Sequence, residues 1–473
     1  MKVDLAPSSE ANLNLPPSVY LWTVGTAIIF FICSSLRHAL FQSTAFDLGI
    51  FDQAIYLISQ GQSPLSTLMG FHILGDHASI IFYPIALLYR IYADVHWLFA
   101  IQALALASGI PLSWYLATQV GLSRSLASAV TFSYLFYPLV FNVNLFDFHP
   151  DVFVIPGVFG SVYALRAEKL FLFLGSVLLI LASKAVLSLT LISFGIWIIL
   201  FENKKSYGVL TIGLSIAWFI FSTQVIFPFY IGGEHAAVGR YSYLGDSVFE
   251  IILNLFLQPH LIFQHIISWS SLEYLVLLAV PIIWSFSRSS LKFLVPILPQ
   301  LAINLLSDVS TQRDLIHQYS LPILPFFILA IVDALVQQKG WFQTRKAIIL
   351  WMLVSFIALA KPGYFWTRYL SYWESIPATR EALQLVNPSG GVLTIANLVP
   401  HLSHRSLIRQ TLAEMDLVQI EQYKYDYILL NGKNPGWGSD LKTHQRLVDY
   451  LEASEHFRDV YSRDDVILFE RFS

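Results

Sequence analysis

Long apolar stretches alternate with short polar connections through the first three quarters of the chain. The apolar stretches fall at 18–36, 97–119, 126–145, 152–165, 170–183, 186–201, 207–230, 270–287, 291–306, 319–337 and 346–361. Runs of this kind predict membrane-spanning helices, because lipid offers no water to an exposed peptide group and only a helix satisfies its backbone internally. Several fall short of the roughly 20 residues of a perpendicular span, notably 152–165 and the pair flanking Lys184, which predicts tilted or broken helices there. A further stretch, 78–93, carries Pro84 and Arg90.

Basic residues orient the pattern. Arg124, Arg166 with Lys169, Lys204 with Lys205, Arg288 with Lys292, and Lys339 with Arg345 and Lys346 lie in short loops at every second connection. The positive-inside rule places those loops in the cytoplasm. The alternate connections, 37–77, 146–151, the break at Lys184, 231–269, 307–318 and everything after 361, then face outward. Three apolar stretches lie between the outward loops 37–77 and 146–151, so one of them does not cross. The segment 78–93 is the choice, as a re-entrant or interfacial helix.

After 375 the pattern changes: charges become frequent and apolar runs shorten. "GVLTIAN", "YDYILLN" and "DVILFERF" predict strands, while "TREALQLV" and "HQRLVDYLEAS" predict amphipathic helices. The expected organisation is a polar cytoplasmic tail over 1–17, a transmembrane domain over 18–361 whose first outward loop is 37–77, and an aromatic linker with a small extracytoplasmic α/β domain over 362–473. Residues 362–374, "PGYFWTRYLSYWE", predict an aromatic belt at the membrane surface.

Composition agrees with this pattern. The 473 residues are 56% apolar, 15% aromatic and only 12% charged, the profile of a multi-spanning membrane protein. A net charge of −3 without a basic run argues against a nucleic-acid partner. The single cysteine, Cys33, cannot form an intramolecular disulfide. The tail Met1 to Pro17 lacks the shape of a cleavable signal peptide, so the first apolar stretch is expected to be retained as a span.

The orientation gathers the unusual polar residues on the outward side: Asp47, Asp52, Asp76, His77, Asp147, His149, Asp151, Glu234, His235, Arg240, Asp308, Arg313, Asp314 and His317. Ionisable groups at a membrane border that are not basic anchors mark a functional site. In "FDLGIFDQAIYLISQGQ", Phe46, Ile50, Phe51, Ile55 and Ile58 recur at helical spacing and predict an amphipathic interfacial helix. Asp47 opens it, either as an N-terminal cap or as a functional carboxylate. Asp52 reads as a helix-face hydrogen-bonder or the partner of an arginine. Asp76 and His77 precede 78–93.

In "NLFDFHPDVF", the alternation of Asp147, His149 and Asp151 suits a hard or borderline divalent ion but matches no zinc pattern. Pro150 and Asp151 equally make an ordinary helix start. A divalent metal is thus left open, and no other cofactor is expected. Lys184 interrupts apolar helix on the outward side, where topology asks for no positive charge, so it is expected to meet an anion. His401, His404 and Arg405 in "PHLSHR" read either as binders of a polar group or, more simply, as a loop cap. Together, a carboxylate base, a deep cation and aromatic surroundings suit transfer chemistry on a lipid-linked phosphate donor.

The segments "FDLGIFDQAIY", "GDHASIIFYPIALLY", "LFDFHPDVF", "QYSLPILPF" and "ANLVPHLSHR" resemble an uncharacterised family of predicted bacterial and archaeal membrane proteins, a domain of unknown function grouped with the GT-C glycosyltransferases. The resemblance runs from about residue 40 to the C-terminus. It implies a mostly α-helical polytopic GT-C-like fold of about 11 transmembrane helices plus interfacial helices, a plasma-membrane location, and transfer of a sugar from a polyprenyl-phosphate donor to an extracytoplasmic acceptor. By position, it makes Asp47 the base, Asp147 the acid of the second outward loop and Lys184 a donor-phosphate contact. Asp52, Asp76, His77, His149, Arg240, Arg313 and His317 are expected around the substrate. In one departure, Ala185 and Val186 follow the lysine where the family often carries acids. The alternatives are a transporter or lipid translocase, and an inactive scaffold.

Overall fold

The computed structural model describes residues 15–232 and 236–472. The first fourteen residues of the expected tail, and Glu234 and His235, lie outside them. The chain divides into two compact units: Met1–Phe31, Leu74–Ile81 and Ala100–Lys361 form the first, and Ile32–Ile73, Phe82–Phe99 and Pro362–Ser473 the second.

The first unit is helical. Each apolar stretch of the sequence forms helix, and among the described residues six helices are long and apolar enough to cross a membrane: Pro17–Ala39, His96–Gln119, Arg124–Leu145, Lys205–Ile231, Arg288–Leu306 and Gln318–Val336. Two further pairs, Pro259–Ile266 with Trp269–Ser285 and Arg345–Leu359 with Pro362–Leu370, bring the number to eight if each is one span. Val154–Arg166, Leu170–Ser183 and Leu187–Glu202 are too short to cross upright, which accounts for the difference from eleven. Close backbone approach holds two neighbours together. A Cβ on Gly208 would come within 2.6 Å of the Gly195 carbonyl oxygen, so helices Leu187–Trp197 and Lys205–Phe221 meet at a pair of glycines.

Lys184 sits at an extended break between Leu170–Ser183 and Leu187–Trp197. Breaking a helix among apolar neighbours frees backbone groups that need partners. The segment 77–81 supplies them. The Ala185 amide donates to the His77 carbonyl at 2.9 Å, the Ile81 amide to the Ala182 carbonyl at 3.0 Å, and the Ser79 hydroxyl to the Ser183 carbonyl at 2.6 Å.

In the second unit, the C-terminal region is an α/β layer structure. A short hairpin, β1 (Leu65–Ser66) with β2 (Phe71–His72), precedes a five-stranded sheet of β3 (Val392–Thr394), β4 (Ile408–Gln410), β5 (Tyr427–Asn431), β6 (Phe457–Arg463) and β7 (Val466–Arg471) in the order β4-β3-β5-β7-β6. β3 runs parallel to β4 and β5, and β7 runs antiparallel to β5 and β6. Alternating strand residues face opposite layers. Val392, Leu429 and Leu468 pack with Ala378 and Ala382 of helix Ile376–Leu385, while Leu393, Ile428 and Phe469 pack with Leu447 and Leu451 of helix Leu441–Glu452.

The first loop belongs to this unit as well. Helix Ile50–Ser59 packs on helix Phe82–Ile91. The former was expected to lie half-exposed at the interface, but Ile50, Phe51, Ala54 and Ile55 are all buried, because 82–91 and the C-terminal region cover it. The latter, ten residues long, is too short to cross, in keeping with the choice of 78–93.

Candidate functional site

In the first unit, the polar residues of three connections converge on Lys184. Its ammonium lies 3.3 Å from the Asp151 carboxylate, and both side chains are buried. Such a pair persists away from water only because each charge replaces the other's hydration. The same ammonium lies 5.9 Å from the centroid of the Tyr319 ring, and the Arg240 guanidinium lies 5.7 Å from that ring, both within cation–π range. One tyrosine thus carries two cations.

The 146–151 connection is held by Gln102. Its amide donates to the carbonyls of Val143 at 3.3 Å and Phe146 at 3.4 Å, and its oxygen accepts from the His149 amide at 3.2 Å. His149 turns Nδ1 to the Asp147 carbonyl at 2.7 Å and stacks on Phe146, whose ring also meets His317 edge-on. His317 in turn binds Asp314 at 2.6 Å. Asp147 and His149 are each 1% exposed. The Arg313 guanidinium donates to the Ser307 carbonyl, and Asp76 pairs with His77 at 3.3 Å.

The structure therefore brings Asp151, Lys184 and Arg240 together around Tyr319, and His149 and His317 together around Phe146, with the His317 and Tyr319 rings 6.4 Å apart; Asp147 joins through its backbone carbonyl. It does not make the Asp-x-His-x-Asp alternation a metal centre. Among the described residues, no group of three His, Cys, Asp or Glu side chains is placed to hold a metal ion. His149 is turned to a carbonyl and Asp151 to a lysine, which leaves the alternation without convergent ligands.

In the second unit, Asp47 lies inside the first turn of the helical run that begins at Ala45, and not at the cap position, which Thr44 occupies. It is half-buried. Gly49 lets this turn approach helix Val399–Leu402, since a Cβ there would come within 2.6 Å of a Val399 methyl.

Asp52 is a hydrogen-bonder, as one reading of the sequence expects, with two hydroxyls and an imidazole in place of an arginine. It is 0% exposed; the Tyr89 hydroxyl donates to Oδ1 at 2.5 Å, the Ser403 hydroxyl donates to Oδ2, and His404 Nε2 stands 3.1 Å from Oδ2 without the alignment of a hydrogen bond. Burial by itself would raise the Asp52 pKa, but the His404 charge and the two hydroxyls outweigh it and hold it below the ordinary value. Burial would likewise lower His404, and Asp52 outweighs that, leaving it raised.

His404 stacks on Tyr56 with ring centroids 4.7 Å apart, and His401 stacks on His38 at 3.8 Å. Arg405 is a brace. Its guanidinium donates to the carbonyls of Leu402 at 2.6 Å, Gly390 at 3.1 Å and Asn387 at 3.4 Å. Within the "PHLSHR" stretch, Ser403 and His404 are the partners of Asp52, while Arg405 caps loop carbonyls. Sequence reasoning also passed over Gln102, Tyr89 and Tyr319; a lone glutamine within an apolar span was the one local signal.

The comparisons agree with this architecture. The model of the family described as predicted membrane protein (DUF2079) matches residues 37–468. The fold is similar to that of ArnT from Cupriavidus metallidurans bound to undecaprenyl phosphate, with a TM-score of 0.57 and 10% identity over 96% of this chain and 98% of that one. It is similar to the apo state of the same protein as well, with a TM-score of 0.55 and 11% identity over 96% and 97% of the two chains. No curated protein matches the sequence. The architecture is a mostly helical GT-C-like membrane fold with a small C-terminal α/β domain. The chain therefore belongs to the DUF2079 family of predicted membrane proteins.

Proposed function

We propose that this protein is an integral membrane glycosyltransferase that takes a sugar from a polyprenyl-phosphate-linked donor and passes it to an acceptor outside the cytoplasm. The observation that carries this reading is the pair of cations on Tyr319. A phosphate leaving group gathers negative charge as its bond to the sugar breaks, and preorganised cations stabilise that charge best where water is scarce. Lys184 and Arg240 both stand on the Tyr319 ring, so two cationic side chains are held at one place where a phosphate can meet them. The likeness of fold to a protein bound to undecaprenyl phosphate supports the same class of lipid.

In this reading the acceptor hydroxyl attacks the anomeric carbon, the bond from that carbon to the phosphate oxygen breaks, and the phosphate leaves with the electron pair. Asp47 takes the hydroxyl proton, which gives inversion in a single displacement. Asp147 is the acidic residue of the second outward loop, and the site faces outward across a plasma membrane by the positive-inside rule. His149 and His317 line the phosphate region through Phe146, with Asp76, His77 and Arg313 at its border.

Binding of undecaprenyl phosphate to the purified protein tests the phosphate assignment. Lys184→Met and Arg240→Met are each expected to weaken binding at least tenfold, while Lys339→Met, in a connection on the other side, leaves it unchanged. Equal binding by all three and the wild type would remove the cation pair from the donor site.

A further inference from the structure

The second unit contains a cavity of about 400 Å³, within the range of small-molecule sites, whose polar wall the transfer chemistry does not use. Four imidazoles, His38, His96, His401 and His404, line it together with Asp94 and Ser403. Most of these groups are already committed. His96 Nδ1 meets Asp94 at 2.6 Å, Ser403 donates to Asp52, and His404 faces the same carboxylate.

Two ring nitrogens stand apart. His38 is only 7% exposed, yet its Nδ1 has no partner, and the buried Nε2 of His401 has none either. Buried polar atoms left this way cost stability, and a fold that keeps two of them side by side in a cavity wall is prepared for a ligand that completes them.

The chemistry of the wall narrows that ligand. Burial pushes His401 down to about 3, against a hydrogen bond to the His38 backbone and the Asp52 charge, so its ring is neutral, and with one nitrogen on that backbone it offers Nε2 to a ligand. An anion meets two carboxylates on this side of the unit, and the Arg405 guanidinium is spent on three carbonyls. A metal ion lacks three convergent ligands among the described residues. A hydroxyl group both donates and accepts, which is what a neutral imidazole asks of a partner. The stacked rings of His38 and His401, with aliphatic and proline side chains around them, suit the apolar face of a pyranose.

We propose that this cavity is a binding site for a neutral sugar, whose hydroxyl groups hydrogen-bond His38 and His401. Its identity as the acceptor of the transfer reaction rests on the function proposed above; the binding itself does not.

The test uses the full chain in lipid nanodiscs without any donor, its histidine rings labelled with ¹⁵N, titrated with the methyl glycosides of glucose, galactose, mannose and N-acetylglucosamine. At least one glycoside is expected to give saturable shifts at the ring nitrogens of His38 and His401. His401→Phe and His38→Phe keep a stacked ring but remove the nitrogen, and each is expected to bind at least tenfold more weakly with no fall in thermal midpoint. The proposal is overturned if none of the four glycosides binds saturably to the wild type, or if both phenylalanine variants bind as well as it does. Should a variant misfold, the wild-type titration decides alone. Because no donor is present, a failure of the transfer reading leaves this result standing.

Discussion

A carboxylate removed from water stays ionised only where its neighbours replace the hydration shell, and at Asp52 two hydroxyls and an imidazole do so. Replacing Asp52 with Asn leaves His404 without its counter-charge and is expected to destabilise the protein by about 3–5 kcal/mol, the usual cost of breaking a buried pair from one side. Thermal unfolding in detergent measures it.

The two shifts also set a pH window. His404 is raised above 6.5, so its contribution is complete below that value and is lost as the pH rises through the raised one. Asp52 is lowered below 3.8, so its contribution is complete above that value and is lost as the pH falls through the lowered one. Asp94 adds to the His404 shift and Arg405 opposes it. The unfolding midpoint is therefore expected to be highest between 3.8 and 6.5 and to fall on either side, and the alkaline fall is expected to vanish in Asp52→Asn. A wild-type midpoint that keeps rising through pH 8 would contradict the pairing. None of this was legible locally: Asp52, Tyr89 and His404 lie far apart in sequence, and a lone Asp on a helix face looks the same whether it meets solvent or a partner.

At the scale of elements, the sequence spoke more clearly. Lys184 between two apolar runs announced a broken helix, and the break is there, with segment 77–81 docked against its freed backbone. What the hydropathy pattern does not carry is which helices touch, since lipid-facing and helix-facing positions are equally apolar. The glycines carry that information. Gly208 faces the Gly195 carbonyl, while Gly213, on the same helix, faces open space. Gly208→Leu is expected to force Leu187–Trp197 and Lys205–Phe221 apart and to cost about 1–3 kcal/mol, whereas Gly213→Leu leaves the thermal midpoint within a degree or two. Equal effects at both positions would show that helix propensity, not contact, governs this pair. In the α/β region, β3, β5 and β7 were readable as apolar runs because they lie inside the sheet. β4 and β6 were not: they are the edge strands, one of three residues and the other mostly exposed and charged.

For the whole molecule, composition and the spacing of apolar runs were enough to define the class, because the demand that every backbone group in lipid be satisfied leaves few architectures. The grouping of the first loop with the C-terminal region was not legible, since hydropathy treats 37–77 as one connection and cannot say what it packs against. The candidate residues of the first unit stand out because ionisable groups among apolar helices are conspicuous; the imidazole cavity of the second unit was not legible because His38 and His96, at the ends of two apolar helices, lie far in sequence from His401 and His404.

The central claim is sugar transfer from a polyprenyl-phosphate donor with Asp47 as base. The most direct measurement follows the label of radiolabelled polyprenyl-phosphate sugars, supplied as a panel to the purified protein in bilayers of total membrane extract, for the wild type and Asp47→Asn in parallel. Label is expected to leave one of the lipid donors with the wild type and to stay on it with Asp47→Asn, while both proteins bind undecaprenyl phosphate alike. Transfer that persists in Asp47→Asn would contradict the assignment of the base, and a wild type that neither consumes nor binds any of the donors would contradict the glycosyltransferase reading itself.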